Sequence, residues 1–257
     1  MITKLHNWFW KSVNAMRTLV VIPARLGSKG LKEKNLLLLD GIPLVEWPIR
    51  IALASKHSPR VIVSTEDQRI AEIGLKAGAE VPFLRPKALA EDSVSLVSVS
   101  KHALQFFECS EWIPDIVVSM QPTSPFTPLE ALDLAIDQVV QHDFNAAVSV
   151  KKITGTHPFR AYGLGENKAI KPLTEYTSEK YLQKQDRPEA YGLTGGLYVR
   201  RRFLLDRWQG TGFALGEKCY GVLVNEFEGL DIDNELDFLV CETVLKTRKG
   251  AGLRGKK

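Results

Sequence analysis

Thr18-Leu19-Val20-Val21-Ile22-Pro23, followed without a break by Ala24-Arg25-Leu26-Gly27-Ser28-Lys29-Gly30-Leu31-Lys32-Glu33-Lys34-Asn35, is the stretch that decides the fold. Its first part holds four consecutive apolar residues, three of them β-branched. A run that short and that uniformly apolar reads as a strand buried on both faces. Such strands belong to parallel sheets, whose faces must be covered by helices, so an alternation of strand and helix is expected downstream. The strand ends at a proline and opens into a basic loop with two glycines.

Working outward, the alternation is there. Leu44 to Ala54 has helical spacing, with its start placed close to Pro48 because proline is tolerated only in a first turn. Arg60 to Ser64 reads as a second buried strand. Thr65 and Asp67 are placed to cap a helix running to Gly78 through Ile70, Ile73 and Leu75. Glu80 to Leu84 is expected as a third strand, and a helix is expected from Asp92–Ser95 to about Phe107. Ile116 to Met120 and Ala146 to Val150 are further strands. Between them Glu130 to Gln141 is amphipathic, with Leu132, Ala135, Ile136, Val139 and Val140 on one side.

After Lys151 the rhythm breaks. Lys151 to Pro188 is polar and rich in Tyr, Pro, Gly and Lys, and contains Tyr162, Tyr176 and Tyr181. It reads as an arm inserted at about 151–190. Strands resume at Tyr191 to Val199 and Gly221 to Phe227. Glu235 to Thr247 is a closing helix with Leu236, Leu239, Val240 and Leu245 assigned to its apolar side. The fold class is therefore α/β: a mainly parallel, doubly wound, Rossmann-like sheet with a small inserted arm, spanning 16–247. Ligands of such sheets sit at the carboxyl ends of the strands. That brings the loops Ala24 to Asn35, Thr65 to Asp67 and Gln121 to Pro125 to one edge.

The two ends are irregular. Residues 1–15 carry Trp8, Phe9 and Trp10 but no continuous apolar region of signal-peptide type. Either Met16 is the native start, with 1–15 a loose leader, or the aromatic cluster supports a short interfacial helix. Residues 248–257 form a basic tail, expected to be solvated and frayed.

Composition narrows the function. The chain has 257 residues, 44% hydrophobic and 25% charged, and a formal net charge of +4. That is enough for a core without staples. The charge is too mild to argue for nucleic acid but suits a polyanionic small molecule. Cys109, Cys219 and Cys241 lie far apart, which gives no disulfide framework and no zinc site and fits a reducing cytoplasm. No apolar run reaches the roughly 20 residues that cross a bilayer, so no stable membrane association is expected.

The basic loop can chelate an anion. Its glycines let backbone N–H groups form a nest, and Arg25, Lys29, Lys32 and Lys34 can neutralise a triphosphate. The alternative is a solvated basic turn. A Walker A pattern is absent, and no Ser-His-Asp set supports hydrolase chemistry. Asp231-Ile232-Asp233 is a second candidate: Mg²⁺ prefers one or two carboxylates plus phosphate oxygens. In an extended strand these two side chains would point apart, so a turn is required, and Gly229 is read as permitting it. The competing reading is that Asp231, Asp233 and Asn234 cap the closing helix. Lys151, Lys152 and Arg160 are either contacts for an acidic sugar or surface charges.

These motifs resemble the acylneuraminate cytidylyltransferases, the CMP-sialic acid synthetase family. The likeness begins in Ile22-Pro23-Ala24-Arg25 and Gly27-Ser28-Lys29-Gly30 and continues through Val63-Ser64-Thr65-Glu66-Asp67. It then runs through Phe83-Leu84-Arg85-Pro86, Leu89-Ala90-Glu91-Asp92-Ser93 and Gln121-Pro122-Thr123-Ser124-Pro125-Phe126 to Leu230-Asp231-Ile232-Asp233-Asn234-Glu235-Leu236-Asp237. The resemblance implies a nucleotidyltransferase that joins CMP from CTP to the anomeric hydroxyl of a nonulosonate sugar and releases pyrophosphate. It implies that Arg25 and Lys34 grip the CTP phosphates with Ser28 and neighbouring amides such as that of Ala24. Asn35 and Arg85 match nucleotide-side positions, and Gln121 matches one near the sugar. Asp231 and Asp233 match carboxylates that hold Mg²⁺. The arm is implied to be a dimerisation element that reaches the partner's site in a homodimer.

The sequence departs from the family where the sugar should sit. Gln183-Lys184-Gln185 replaces an R-R-Q pattern, and Thr194-Gly195-Gly196-Leu197-Tyr198 replaces one that begins with Asn. Lys184, Gln185 and Tyr198 are thus expected to contact the sugar, and Gln185 to Tyr191 is similar to branches acting on pseudaminic or legionaminic acid. Three rivals stay open: a nucleotidyltransferase of the same fold with another nucleotide or sugar, a metal-dependent glycosyltransferase, and a catalytically silent nucleotide-binding homologue.

Overall fold

The computed structural model describes residues 16–173, 181 and 183–254, with side chains to Arg248. The expectations for the leader 1–15 and for Tyr176 fall outside the described residues. A six-stranded sheet forms the centre, in the order β10-β6-β9-β5-β1-β4. Here β1 is Thr18–Pro23, β4 Arg60–Ser64, β5 Ile116–Met120, β6 Ala146–Lys152, β9 Tyr191–Arg201 and β10 Cys219–Leu223. Two short hairpins stand apart from it: β2 (Leu38–Leu39) with β3 (Ile42–Pro43), and β7 (Tyr162–Leu164) with β8 (Ile170–Pro172).

The opening strand does what its composition requires. β1 pairs in parallel with β4 on one side (Val21 opposite Ile62) and with β5 on the other (Val20 opposite Val118). Successive side chains of a strand face opposite ways. Val20 and Ile22 accordingly enter one core, with Ile49 and Ala52 of α1 (Glu46–Leu53), Ile70 of α2 (Gln68–Lys76) and Leu132, Ile136 and Val139 of α4 (Leu129–Gln141). Leu19 and Val21 enter the other, with Val97, Leu104 and Phe107 of α3 (Leu96–Glu108) and Leu205 of α5 (Arg202–Asp206). The sheet is thus doubly wound, as expected. Within it β9 alone is reversed, antiparallel to both β5 and β6. Its beginning therefore lies at the edge where β1, β4, β5 and β6 end.

Three expectations need correction. Glu80 to Leu84 is not a strand: only Glu80 bridges to β4, through Glu80 N–H to Val61 O (2.8 Å) and Val63 N–H to Glu80 O (2.9 Å). Pro82, two residues on, has no N–H to continue a ladder. The closing helix α6 (Glu235–Arg254) extends past Thr247 into the basic tail. Arg248 is already engaged there, its guanidinium 3.6 Å from the Phe227 ring centroid. Finally, the buried side of α6 is Phe238, Cys241 and Leu245, packed on Leu39, Leu44, Phe126 and Ile232. Leu236, Leu239 and Val240 are exposed. The spacing 238, 241, 245 is itself helical, and it wins because it points at the apolar surface of the β2–β3 hairpin and Phe126.

Candidate active site

The loop 24–35 leaves β1 with its ends tied together. Ala24 is buried, and its amide donates to Ser64 O (3.0 Å), so that N–H is not open to a phosphate. Asn35, at the other end, donates from Nδ2 to Arg25 O (2.7 Å). Glu33 takes a left-handed φ of 53°, a conformation rare for a residue with a Cβ, immediately before the short helix that carries Lys34. Lys34 is buried, and its Nζ donates to Ile232 O at 2.6 Å and lies 3.4 Å from Asp233 Oδ1. Gly30 has no freedom to be another residue: a Cβ there would stand 1.9 Å from Asp233 O. The loop and the aspartate pair are thus in direct backbone contact, although some 200 residues separate them.

The opposite wall is the turn after β5. Ile232 N–H donates to Thr123 O (2.8 Å), and the buried Ile232 side chain pins the segment between loop and turn. Asp231 accepts from Ser124 Oγ–H (3.1 Å). Burial pushes the Asp231 carboxyl above the usual carboxylate range, against a hydrogen bond from Thr123, and the neighbouring Asp233 charge pushes it further the same way. Gly229 serves this arrangement by close approach: a Cβ there would meet Lys151 Cδ at 2.9 Å and Thr194 Cγ2 at 3.0 Å. The capping alternative is answered by Asn234 and Asp237. Asp237 N–H donates to Asn234 Oδ1 (3.1 Å), while Asp237 Oδ2 accepts from Asn234 N–H (3.1 Å) and Asp233 N–H (2.9 Å). This reciprocal box caps α6 and leaves the side chains of Asp231 and Asp233 to face the cleft.

Arg25, Ser28, Lys34, Asn35, Arg85, Gln121, Thr123, Asp231 and Asp233 line one cleft of about 270 Å³. Arg25 and Lys29 are held meanwhile by Asp92, at 2.6 and 2.9 Å. Those contacts, Lys29 foremost, lower the Asp92 pKa. Gln121 donates from Nε2 to Gly195 O (2.7 Å), on the reversed strand β9. At the far end Arg85 is 4% exposed, beside Leu89, Val94, Leu96 and Val99. Its Nη2 donates to Glu66 Oε2 (3.0 Å), and its Nε finds no partner among the described residues. Burial lowers the Arg85 pKa, the Glu66 contact opposes this, and the charge of Arg25 lowers it further. Glu66 and Asp92 were not singled out from the sequence, yet both lie inside motifs quoted above, Glu66 immediately before the helix cap Asp67.

Three expected sugar contacts are not in this cleft. Lys184 and Gln185 line a separate pocket of about 830 Å³ with Lys152, His157, Arg160, Arg187 and Glu189. Tyr198 is buried under the site, stacked on Phe213 with ring centroids 5.9 Å apart, and burial raises its hydroxyl pKa. As a β9 residue between Ser119 and Val148 it is core and not wall. Thr194 is also buried, its hydroxyl 2.6 Å from Ser149 Oγ. Lys151 donates to Gly229 O (2.8 Å), and Lys152 pairs with Glu189.

The cytidylyltransferase family pattern matches residues 19–204. The CMP-N,N'-diacetyllegionaminic acid synthase of Legionella pneumophila is 30% identical over 92% of this chain and 99% of its own. The pseudaminic acid cytidylyltransferase of Campylobacter jejuni is 31% identical over 71% of this chain and 78% of its own. In fold, the chain is similar to a CMP:2-keto-3-deoxy-manno-octonic acid synthetase solved with CTP. The TM-score is 0.68 at 16% identity, covering 90% of this chain and 99% of that one.

Proposed function

This chain belongs to the cytidylyltransferase family, and from that premise we propose that it transfers CMP from CTP to the anomeric hydroxyl of a nonulosonate sugar, with pyrophosphate as the second product. One observation carries the reading. A loop of phosphate-binding character and a pair of carboxylates face each other across a single cleft, joined by Lys34 on Asp233 and by Gly30 on the Asp233 backbone. The sugar class follows the relatives named as acting on legionaminic and pseudaminic acids.

Asp231 and Asp233 would hold Mg²⁺. The donor set fits: two carboxylates that line the same cleft as the basic loop suit a hard dication, which takes one or two carboxylates together with phosphate oxygens. When bound, the ion neutralises charge on the phosphates. The chain's own residues do the rest. Arg25 and Lys34 meet phosphate oxygens, Gln121 is held by Gly195 beside the α-phosphate end, and Arg85 with its apolar neighbours receives the base. Catalysis is then in-line attack favoured by positioning and preorganised charge.

The arm supports a homodimer. Its hairpin exposes Tyr162, Leu164, Ile170 and Leu173, and its pocket with Lys184 and Gln185 does not open into the cleft of its own chain. A two-fold arrangement in which each arm completes the partner's sugar site accounts for both. No helix among the described residues is long and apolar enough to cross a membrane, and the three cysteines are unpaired. We place the proposed reaction in the cytoplasm, the compartment in which free thiols persist. The test is incubation with Mg²⁺, one of CTP, UTP, GTP or ATP, and a panel of nonulosonates and octulosonates. CMP-sugar detected by mass with CTP alone is the expected result. Pyrophosphate release that is as fast with another nucleotide, or none with any sugar, overturns the reading.

A further inference from the structure

The proposed reaction uses the phosphate loop and Arg85 but assigns no task to the carboxylate between them. Glu66 sits in the turn after β4, between buried Thr65 and Asp67, the N-cap of α2. Its side chain is 14% exposed and is not among the residues lining the cleft. One oxygen, Oε1, accepts from Leu26 N–H at 2.8 Å, inside the phosphate loop. The other, Oε2, accepts from Arg85 Nη2 at 3.0 Å. The Arg85 side chain is 2% exposed, and Thr65 O receives its backbone N–H at 2.7 Å. A guanidinium that dry, with one nitrogen unpartnered, keeps its orientation only while its counter-charge is there.

We infer that Glu66 is a positioning residue that ties the phosphate loop, through Leu26, to the base-side Arg85, so that both ends of the nucleotide site are set by one carboxylate. The inference rests on the cleft taking a nucleoside triphosphate. It makes the two oxygens separable. Glutamine in place of Glu66 keeps an oxygen for Leu26 N–H but loses the charge that orients Arg85; alanine loses both.

The experiment titrates the full chain calorimetrically, as wild type, Glu66→Gln and Glu66→Ala, with inorganic tripolyphosphate, CTP and UTP. Tripolyphosphate probes the loop alone. Glu66→Gln is expected to bind tripolyphosphate within twofold of wild type, to bind CTP about tenfold more weakly, and to lose part of the preference for CTP over UTP. Glu66→Ala is expected to weaken tripolyphosphate about tenfold as well. General damage to the fold would weaken all three probes by one factor and leave the CTP-to-UTP ratio unmoved. That result, or a Glu66→Gln chain with wild-type CTP affinity, overturns the inference. If the alanine chain does not fold, the CTP-to-UTP ratio of Glu66→Gln decides. A wild type that binds tripolyphosphate but neither nucleotide overturns the proposed function and the Arg85 half together, and the Glu66→Ala comparison with tripolyphosphate still judges the Leu26 half.

Discussion

The cleft and the arm pocket are both lined by charged residues that the sequence brings to notice, yet they are built in opposite ways. The cleft draws on segments near residues 25, 35, 85, 121 and 231, which meet because β1, β4 and β5 run in register and end together. The arm pocket is made of two continuous stretches, 152–160 and 184–190, that fold against each other away from the sheet core. Displacing any cleft segment disturbs the others through contacts such as Gly30 on Asp233 O. Changing Lys184 or Gln185 disturbs only the arm. The difference teaches that the cleft is a property of the sheet, whereas the arm pocket is a property of an appendage.

The comparison breaks most visibly at the aspartates. Asp231→Asn and Asp233→Asn should each cut turnover a hundredfold or more, about 3 kcal/mol in the barrier, and raise the Mg²⁺ needed for half-maximal rate. Stability should change by about 1 kcal/mol or less, because Asn234 and Asp237 keep the helix cap. A Mg²⁺ titration of CMP-sugar formation beside thermal melts checks this. Wild-type turnover with an unshifted Mg²⁺ curve in both variants would remove the aspartates from the chemistry. Next in size, Arg25→Ala and Lys34→Ala should each weaken CTP by about 10- to 150-fold, the equivalent of roughly 1.5–3 kcal/mol for a charge-assisted contact. Unchanged CTP kinetics in both would take the loop out of the site.

How far the sequence was legible follows the same division. The buried strands, Asp67 as a cap and the convergence of three loops could all be read, because a run such as Val20-Val21-Ile22 is satisfied by a strand paired in parallel on both sides and covered on both faces. The facing of α6 could not. Leu236, Leu239 and Val240 offer as good an apolar stripe as Phe238, Cys241 and Leu245, and only the tertiary surface they meet chooses between them. Tyr198 failed for a related reason. A tyrosine at the end of a motif is read as a contact, but its place on β9 between β5 and β6 makes it core. Glu66 and Asp92 were missed because their partners, Leu26, Arg85, Arg25 and Lys29, are distant in sequence.

Two smaller effects sharpen the division. Lys184→Ala should raise KM for the sugar by about tenfold, of the order of 1.5 kcal/mol, with KM for CTP unmoved. Steady-state kinetics in both substrates measure this, and the opposite pattern would mean the arm serves the nucleotide. Asp92→Asn should lower KM for CTP less than about fivefold, since it frees Arg25 and Lys29 from solvent-exposed pairs that contribute little. A rise in KM would show instead that Asp92 orders the loop for binding.

The reversal of β9 has one more consequence. Because β9 begins at the edge where β6 ends, the arm departs and returns through neighbouring residues: Lys152 pairs with Tyr191, and Ile153 N–H donates to Ala190 O at 2.8 Å. Such a closed stem makes the arm a cassette. Residues between 153 and 190 can lengthen, shorten or be exchanged between relatives while every ladder contact of the sheet stays in place, because loop closure grows only slowly costlier with length. The topology thus lets evolution, or an engineer, replace the arm pocket by transplanting one contiguous segment and leave the cleft at the sheet edge intact.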